Sequence, residues 1–261
     1  MTHFILNIPW PLLVAIVIGL ICTVFIGGLR IVRLNTNSAN ARESHDVAGF
    51  AYGVIGVVYA VLLGFMVLKS YEKSVDVHDA LNDEARVLLD LGHHSRVFPD
   101  SVSTGIRQAL IQYANTVIEQ EWPAMAHHAP SKEYRGSIDT LWRRFIEQTP
   151  TTPRELAWFD HSIGLMDDLS DARLRRQVAA HEGIQPMMWG LLVMGGIILV
   201  IFMYLFEVKI EIRHAIFISM IAGSITFVLL VILSMDHPFT GPSGLEPTML
   251  QNVIRHLSEI R

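Results

Sequence analysis

Four long stretches of this chain contain no Asp, Glu, Lys, Arg or His: Trp10 to Leu29, Val47 to Leu68, Met187 to Phe206 and Ala215 to Leu233. Each is roughly 20 residues long, the length an α-helix needs to cross a hydrocarbon core about 30 Å thick. Lipid tails offer no hydrogen bonds, so the amides of such a stretch must be satisfied within it, and a lone segment does that only as a helix. A charge at the helix centre costs roughly 2.5–3.5 kcal/mol on insertion scales, while each Leu, Ile, Val or Phe contributes about −0.3 to −0.6 kcal/mol. None of the four stretches carries the penalty. The composition follows from them: 51% of the 261 residues are hydrophobic and 17% charged, with a mean hydropathy of +0.38. The expected fold class is an all-α integral membrane protein. A helical hairpin over 1–69 leads to an extramembrane helical domain over 70–186, then a second hairpin over 187–235 and a C-terminal tail over 236–261. The N-terminal stretch lacks a basic leader and is too long for a cleaved signal, so it reads as a retained span.

Charge excludes some functions. The net charge of −5 gives no basic face for nucleic acid. The single cysteine, Cys22, cannot form an intrachain disulfide. The link between the first two spans carries Arg30, Arg33 and Arg42, and the link between the last two carries Lys209 and Arg213. The opposite flanks carry Lys69, Lys73, Arg173, Arg175 and Arg176, so the positive charges are evenly divided and the positive-inside rule assigns no orientation. Four spans do place both termini and the middle domain on one side.

The middle domain reads as helix throughout. Phe65 to Leu91 lacks Gly and Pro, so the second span is expected to run outward as one long helix, with Leu81, Leu88 and Leu89 on its apolar stripe beside Val75, Val77 and Ala85. Gly92 and Pro99 end it. Asp100 or Ser101 caps the next helix, whose face is Val102, Ile106, Leu110, Tyr113 and Val117, and Pro123 stops it. Ser131 caps a helix with Ile138, Leu141, Trp142 and Phe145. Thr152-Pro153-Arg154-Glu155 is a capping box with proline at the first helical position. It opens a long helix striped by Leu156, Phe159, Ile163, Met166, Leu174 and Val178, which Gly183 and Pro186 close. The charges of this domain read as a solvated face.

The second span has two further patterns. Gly49, Gly53, Gly56, Ala60 and Gly64 form a groove of small residues, which permits close backbone approach by another span of the same chain or by a neighbouring subunit. Tyr52, Ile55, Tyr59, Leu62 and Met66 form a second stripe. This stripe either packs against lipid and core or lines a constriction, and apolar constrictions gate ions by dewetting. No ionisable residue lies at membrane depth, which argues against coupled carriers, voltage sensors and haem proteins. His93-His94 and His127-His128 lack helical metal spacing, and no H-E-x-x-H, G-x-S-x-G, Walker loop or G-x-G-x-x-G occurs. No metal, cofactor or catalytic residue is expected, and the chain does not read as an enzyme.

One set of residues resembles a known family. Phe50-x-Tyr52 and Tyr59-Ala60-Val61-Leu62-Leu63-Gly64-Phe65 are followed by Glu84-Ala85, Leu91, Tyr113 and Glu121-Trp122-Pro123, then by Asp236-His237-Pro238-Phe239-Thr240-Gly241. Together they are similar to bestrophin-like membrane proteins of unknown function, distantly similar to bestrophin anion channels. The resemblance implies a pentameric homo-oligomer in the cell membrane, for a bacterial chain the inner membrane. It also implies second spans around a pore, chloride or another small anion as the permeant species, and termini and middle domain in the cytoplasm. The Pro238-Phe239 pair is followed by a single acid, Glu246, where calcium-responsive bestrophins carry an acidic run. Hard cations need several carboxylates, so calcium gating is not expected, and Asp236 and Glu246 read as turn and cap residues. The rival reading is a non-conducting scaffold or signalling protein whose helical domain binds a cytoplasmic partner.

Overall fold

The computed structural model describes residues 9–35, 45–126, 135–206, 210–240 and 244–259. Among them every regular element is helical. The chain divides into two compact units, one of the segments up to Glu72 and Ile184–Asp236, the other of Lys73–Gly183, His237–Thr240 and the chain from Gly244.

The first unit holds the membrane spans. Among the described residues, helices α1 (Trp10–Asn35), α2 (His45–His94), α7 (Pro186–Phe202, continued by a 3-10 turn Met203–Leu205) and α8 (Glu211–Asp236) are the four elements long and apolar enough to cross a bilayer. Side chains from α1, α7 and α8 enclose Leu29, Val200, Ile218 and Ala222 in one small core. The Tyr204 hydroxyl donates to the Phe25 carbonyl at 2.7 Å, and Gly28 lies under it, where a Cβ would come 2.8 Å from that oxygen. A second core joins α2, α7 and α8 through Met66, Leu192 and Ile232. Beyond these seams the helices expose Leu, Ile, Val and Phe, which suits a hydrocarbon solvent.

The second unit contains the later part of α2, α3 (Asp100–Thr116), a π turn (Val117–Glu121), α4 (Trp122–Ala126), α5 (Arg135–Ile146), α6 (Pro153–His181) and α9 (Thr248–Glu259). Its core gathers Val77, Leu81, Leu88 and Leu91 of α2 with Ile106, Leu110 and Tyr113 of α3, Leu141 and Phe145 of α5, Met166 and Leu169 of α6, and Leu250, Val253 and Leu257 of α9. The capping box forms: the Glu155 amide donates to the Thr152 hydroxyl at 3.1 Å, and the Glu155 carboxylate accepts from the Thr152 amide.

Several expectations need correction. The helix begun by the second span passes Gly92 and ends at His94, because one glycine costs only about 1 kcal/mol in a packed helix. Pro99, with no side-chain acceptor, holds the cap position of α3, and Asp100 is its first helical residue. Pro123 does not stop that helix. The turn widens at Val117–Glu121, the Trp122 amide reaches back to the Val117 carbonyl, and the proline is the second residue of α4, within its first turn; a π turn absorbs the missing donor and the ring. The inward stripe of α6 runs Ser162, Met166, Leu169, Arg173, Arg176 and Ala180, whereas Leu156, Leu174 and Val178 are exposed. The segment expected only as a tail contributes α9. Ser131 and the His127-His128 pair lie outside the described residues.

Candidate functional site

The first candidate region is the span portion of α2. Tyr52, Tyr59, Leu62 and Met66 share the face turned toward the other spans of the chain. Tyr59 is buried and its hydroxyl donates to the Leu192 carbonyl of α7 at 2.8 Å. Its ring fits over Gly195 and Gly196, where a Cβ would approach to 2.7 and 2.9 Å. Tyr52 lies tilted against Phe202 and meets Phe206 edge to face, with centroids 5.6 and 5.8 Å away. Met66 and Leu62 join the core with Leu192 and Ile232. Within the chain these four are thus occupied by the third and fourth spans and do not face outward; Ile55, at the margin, is 40% exposed. The reason is steric: the glycine pair that accepts a tyrosine ring lies on α7, and the aromatic stripe of α2 is what fills it.

The opposite face of α2 carries Phe50, Val54, Val57, Val61, Phe65 and Leu68, all more than half exposed except Val54, which is 50% exposed. The small residues flank it. A Cβ at Gly53, Gly56 or Gly64 would meet nothing within 4 Å, and one at Gly49 only the rim of Phe206 at 4.0 Å; Ala60 is exposed. The shallow groove over Gly49, Phe50, Gly53, Val54, Val57 and Val58 encloses about 470 Å³. The small-residue groove is therefore not filled by any described span of the same chain.

The second candidate region lies in the helical unit, where the motif residues Glu84, Tyr113 and Glu121 converge on two arginines. Arg176 is fully enclosed. Its Nε donates to Glu84 Oε2 at 2.6 Å and its Nη2 to Glu84 Oε1 at 3.1 Å, while Nη2 also donates to Glu121 Oε2 at 2.7 Å. Arg173 closes the other side of Glu121, with Nη2 and Nε at 2.7 and 3.1 Å from Oε1. The Tyr113 hydroxyl donates to Glu84 Oε1 at 2.5 Å, Gln177 donates to Glu121 at 3.3 Å, and Arg176 Nη1 lies 3.2 Å from Met125 Sδ. Two carboxylates and two guanidiniums balance, which a buried cluster requires, since an unpaired internal charge costs several kcal/mol. Burial pushes the Glu121 carboxyl up, but Arg176 and Arg173 outweigh it and hold it below its usual range. Burial and then the adjacent Glu84 raise the Tyr113 phenol well above its ordinary value, so it stays a donor. Burial opposes the charge on Arg176, but Glu84 and Glu121 prevail and keep it cationic.

The sequence reading missed Arg173 and Arg176, which it counted as surface charges flanking a span. The signal was present: both occupy the four-three spacing of the buried stripe of α6, as Glu84 does between Leu81 and Leu88 on α2. The remaining motif residues have structural roles. The Trp122 and Phe239 rings meet edge to face with centroids 5.1 Å apart, Pro238 accepts from the Leu245 amide at 2.8 Å, and Pro123 is exposed. In the membrane unit, Asp236 at the end of α8 accepts from the Ile184 amide at 3.0 Å. Gly241 lies outside the described residues.

These features define a multi-pass helical membrane protein with a polar lock inside its second unit. A family model, the bestrophin-like domain, matches residues 18–250, and the chain belongs to that family. Among solved structures, a bacterial bestrophin homologue from Klebsiella pneumoniae matches with a TM-score of 0.71 at 12% identity, covering 91% of this chain and 96% of that one. A single-site variant of the same homologue gives 0.72 at 12% identity, with 92% and 97% covered. At this identity the likeness is one of fold. No curated protein matches the chain significantly.

Proposed function

We propose that this chain is one subunit of a pentameric homo-oligomer that passes chloride or other small anions through an apolar neck built by the second spans. The observation that carries the reading is the outward face of α2: Phe50, Val54, Val57, Val61, Phe65 and Leu68 are exposed in the single chain, with an unfilled groove of small residues beside them. Neighbouring subunits packing through that groove would turn the apolar stripe toward a common axis, where a hydrophobic constriction gates by dewetting. The neck thus passes to residues of the outward face, since the stripe of Tyr59, Leu62 and Met66 is engaged within the subunit. Membership of the bestrophin-like family supports the assignment, and with it the placement of termini and helical domain in the cytoplasm.

The test is electrical. The purified oligomer is reconstituted into planar bilayers under a chloride gradient. A reversal potential that follows the chloride equilibrium is the expected result. Silent bilayers from a correctly assembled ring would overturn conduction and leave the scaffold reading.

A further inference from the structure

The C-terminal end of α2 sits among imidazoles that the ion network does not use. His94 packs edge-on against Trp158, centroids 4.5 Å apart, and against His161 at 4.9 Å, both on α6. One residue earlier, His93 meets His256 of α9 edge to face at 5.7 Å. The Nδ1 atom of His94 is enclosed and has no hydrogen-bond partner, an unusual state for a buried polar atom. The titratable groups facing His94 are Asp90 and His93 from its own helix and His161 from α6; α9 supplies His256 through its contact with His93. One carboxylate therefore stands against four imidazoles.

We propose that the His94–His161 pair is a proton sensor, in which charging the imidazoles drives His94 from its seat on Trp158 and frees the end of α2 from α6. Neutral rings stack without penalty. A second proton on His94 would put an N–H at an enclosed position without an acceptor, beside a like charge on His161. Burial, then His161, with His93 adding to them, hold the His94 imidazole below its usual range against the opposing pull of Asp90. The sign follows: the fold favours neutral His94, so the contact is at full strength above the unfolded value of about 6.5 and is lost as pH falls through the lower folded value. The inference does not depend on whether the assembly conducts.

Hydrogen exchange of the full chain in lipid nanodiscs, near pH 7.5 and 5.5 and corrected for intrinsic rates, tests it. Peptides covering the end of α2 and the Trp158–His161 turn should exchange severalfold faster at the lower pH. His161→Phe keeps a ring and removes the charge, and should blunt that response. Unchanged protection on acidification of the wild-type chain, or an undiminished response in His161→Phe, overturns the proposal. Should that variant fail to assemble, the imidazole resonance of His94 in the wild-type chain decides: titration clearly below 6.5 supports the sensor, and titration at or above it refutes it.

Discussion

Arg176 and Glu84 are separated by 92 positions in sequence and meet in a pair from which solvent is excluded on both sides. Replacing Glu84 leaves Arg176 with Glu121, which it shares with Arg173. Arg176→Met removes the cation that two carboxylates share and leaves buried Glu84 with only the Tyr113 hydroxyl, while Arg173 still holds Glu121. The expected loss is about 3–5 kcal/mol, a large fraction of a domain stability of roughly 5–15 kcal/mol. Thermal unfolding of the detergent-solubilised chain measures it; a variant as stable as wild type would show that the network carries little of the fold.

Acid titration should expose the same cluster. Glu121 is held below its usual range in the folded chain, so its contribution is complete above the unfolded carboxylate value, about 4.3, and is lost as pH drops through the folded one. Glu121→Gln should therefore be clearly less stable than wild type at pH 7, with the gap closing below about pH 4. Parallel curves from pH 7 to 3 would contradict the assignment.

In the membrane unit, Gly195 and Gly196 are the seat of the Tyr59 ring. Gly195→Ala adds a methyl 2.7 Å from two ring carbons, and overpacking of this kind costs typically 1–3 kcal/mol. The melting temperature should fall, and Tyr59→Ala in the same chain should restore part of it. Additive losses would mean that the two residues do not share a contact.

On the outward side of α2 a large side chain meets open space in the single chain, so Gly53→Leu and Gly64→Leu should leave the chain folded while blocking close approach of a second backbone. For the pentamer proposed above, the prediction is a shift from oligomer to smaller species, measured by mass photometry in detergent, with unchanged helical content. Retention of the full ring in both variants would place the subunit contact elsewhere.

The spans were legible because twenty uncharged residues admit one physical answer, and the capping box because its four residues satisfy each other locally. The long α2 was legible from the absence of breakers. What the sequence concealed depends on distant partners. Arg173 and Arg176 look like any surface arginines until Glu84 and Glu121 arrive from other helices, and only their place on the buried stripe distinguishes them. α9 was missed because its apolar residues, Leu250, Val253 and Leu257, follow a stretch rich in Gly and Pro and amount to three turns, too short to stand without a core to lie on. The orientation of the tyrosine stripe turned on two glycines 136 and 137 positions downstream, which no local pattern could weigh.

The wide turn at Val117–Glu121 also governs where relatives of this chain can change length. It holds one residue more than a regular helical turn, and the widening absorbs the rotation of about 100° that an extra residue would otherwise impose on everything after it. Deleting one residue inside the turn would let it close to ordinary helix with the Glu121 carboxylate and the Trp122 indole still facing their partners, whereas the same deletion in the regular part of α3 would swing both away. Single-residue gaps among chains that keep the arginine pair should therefore fall within this turn.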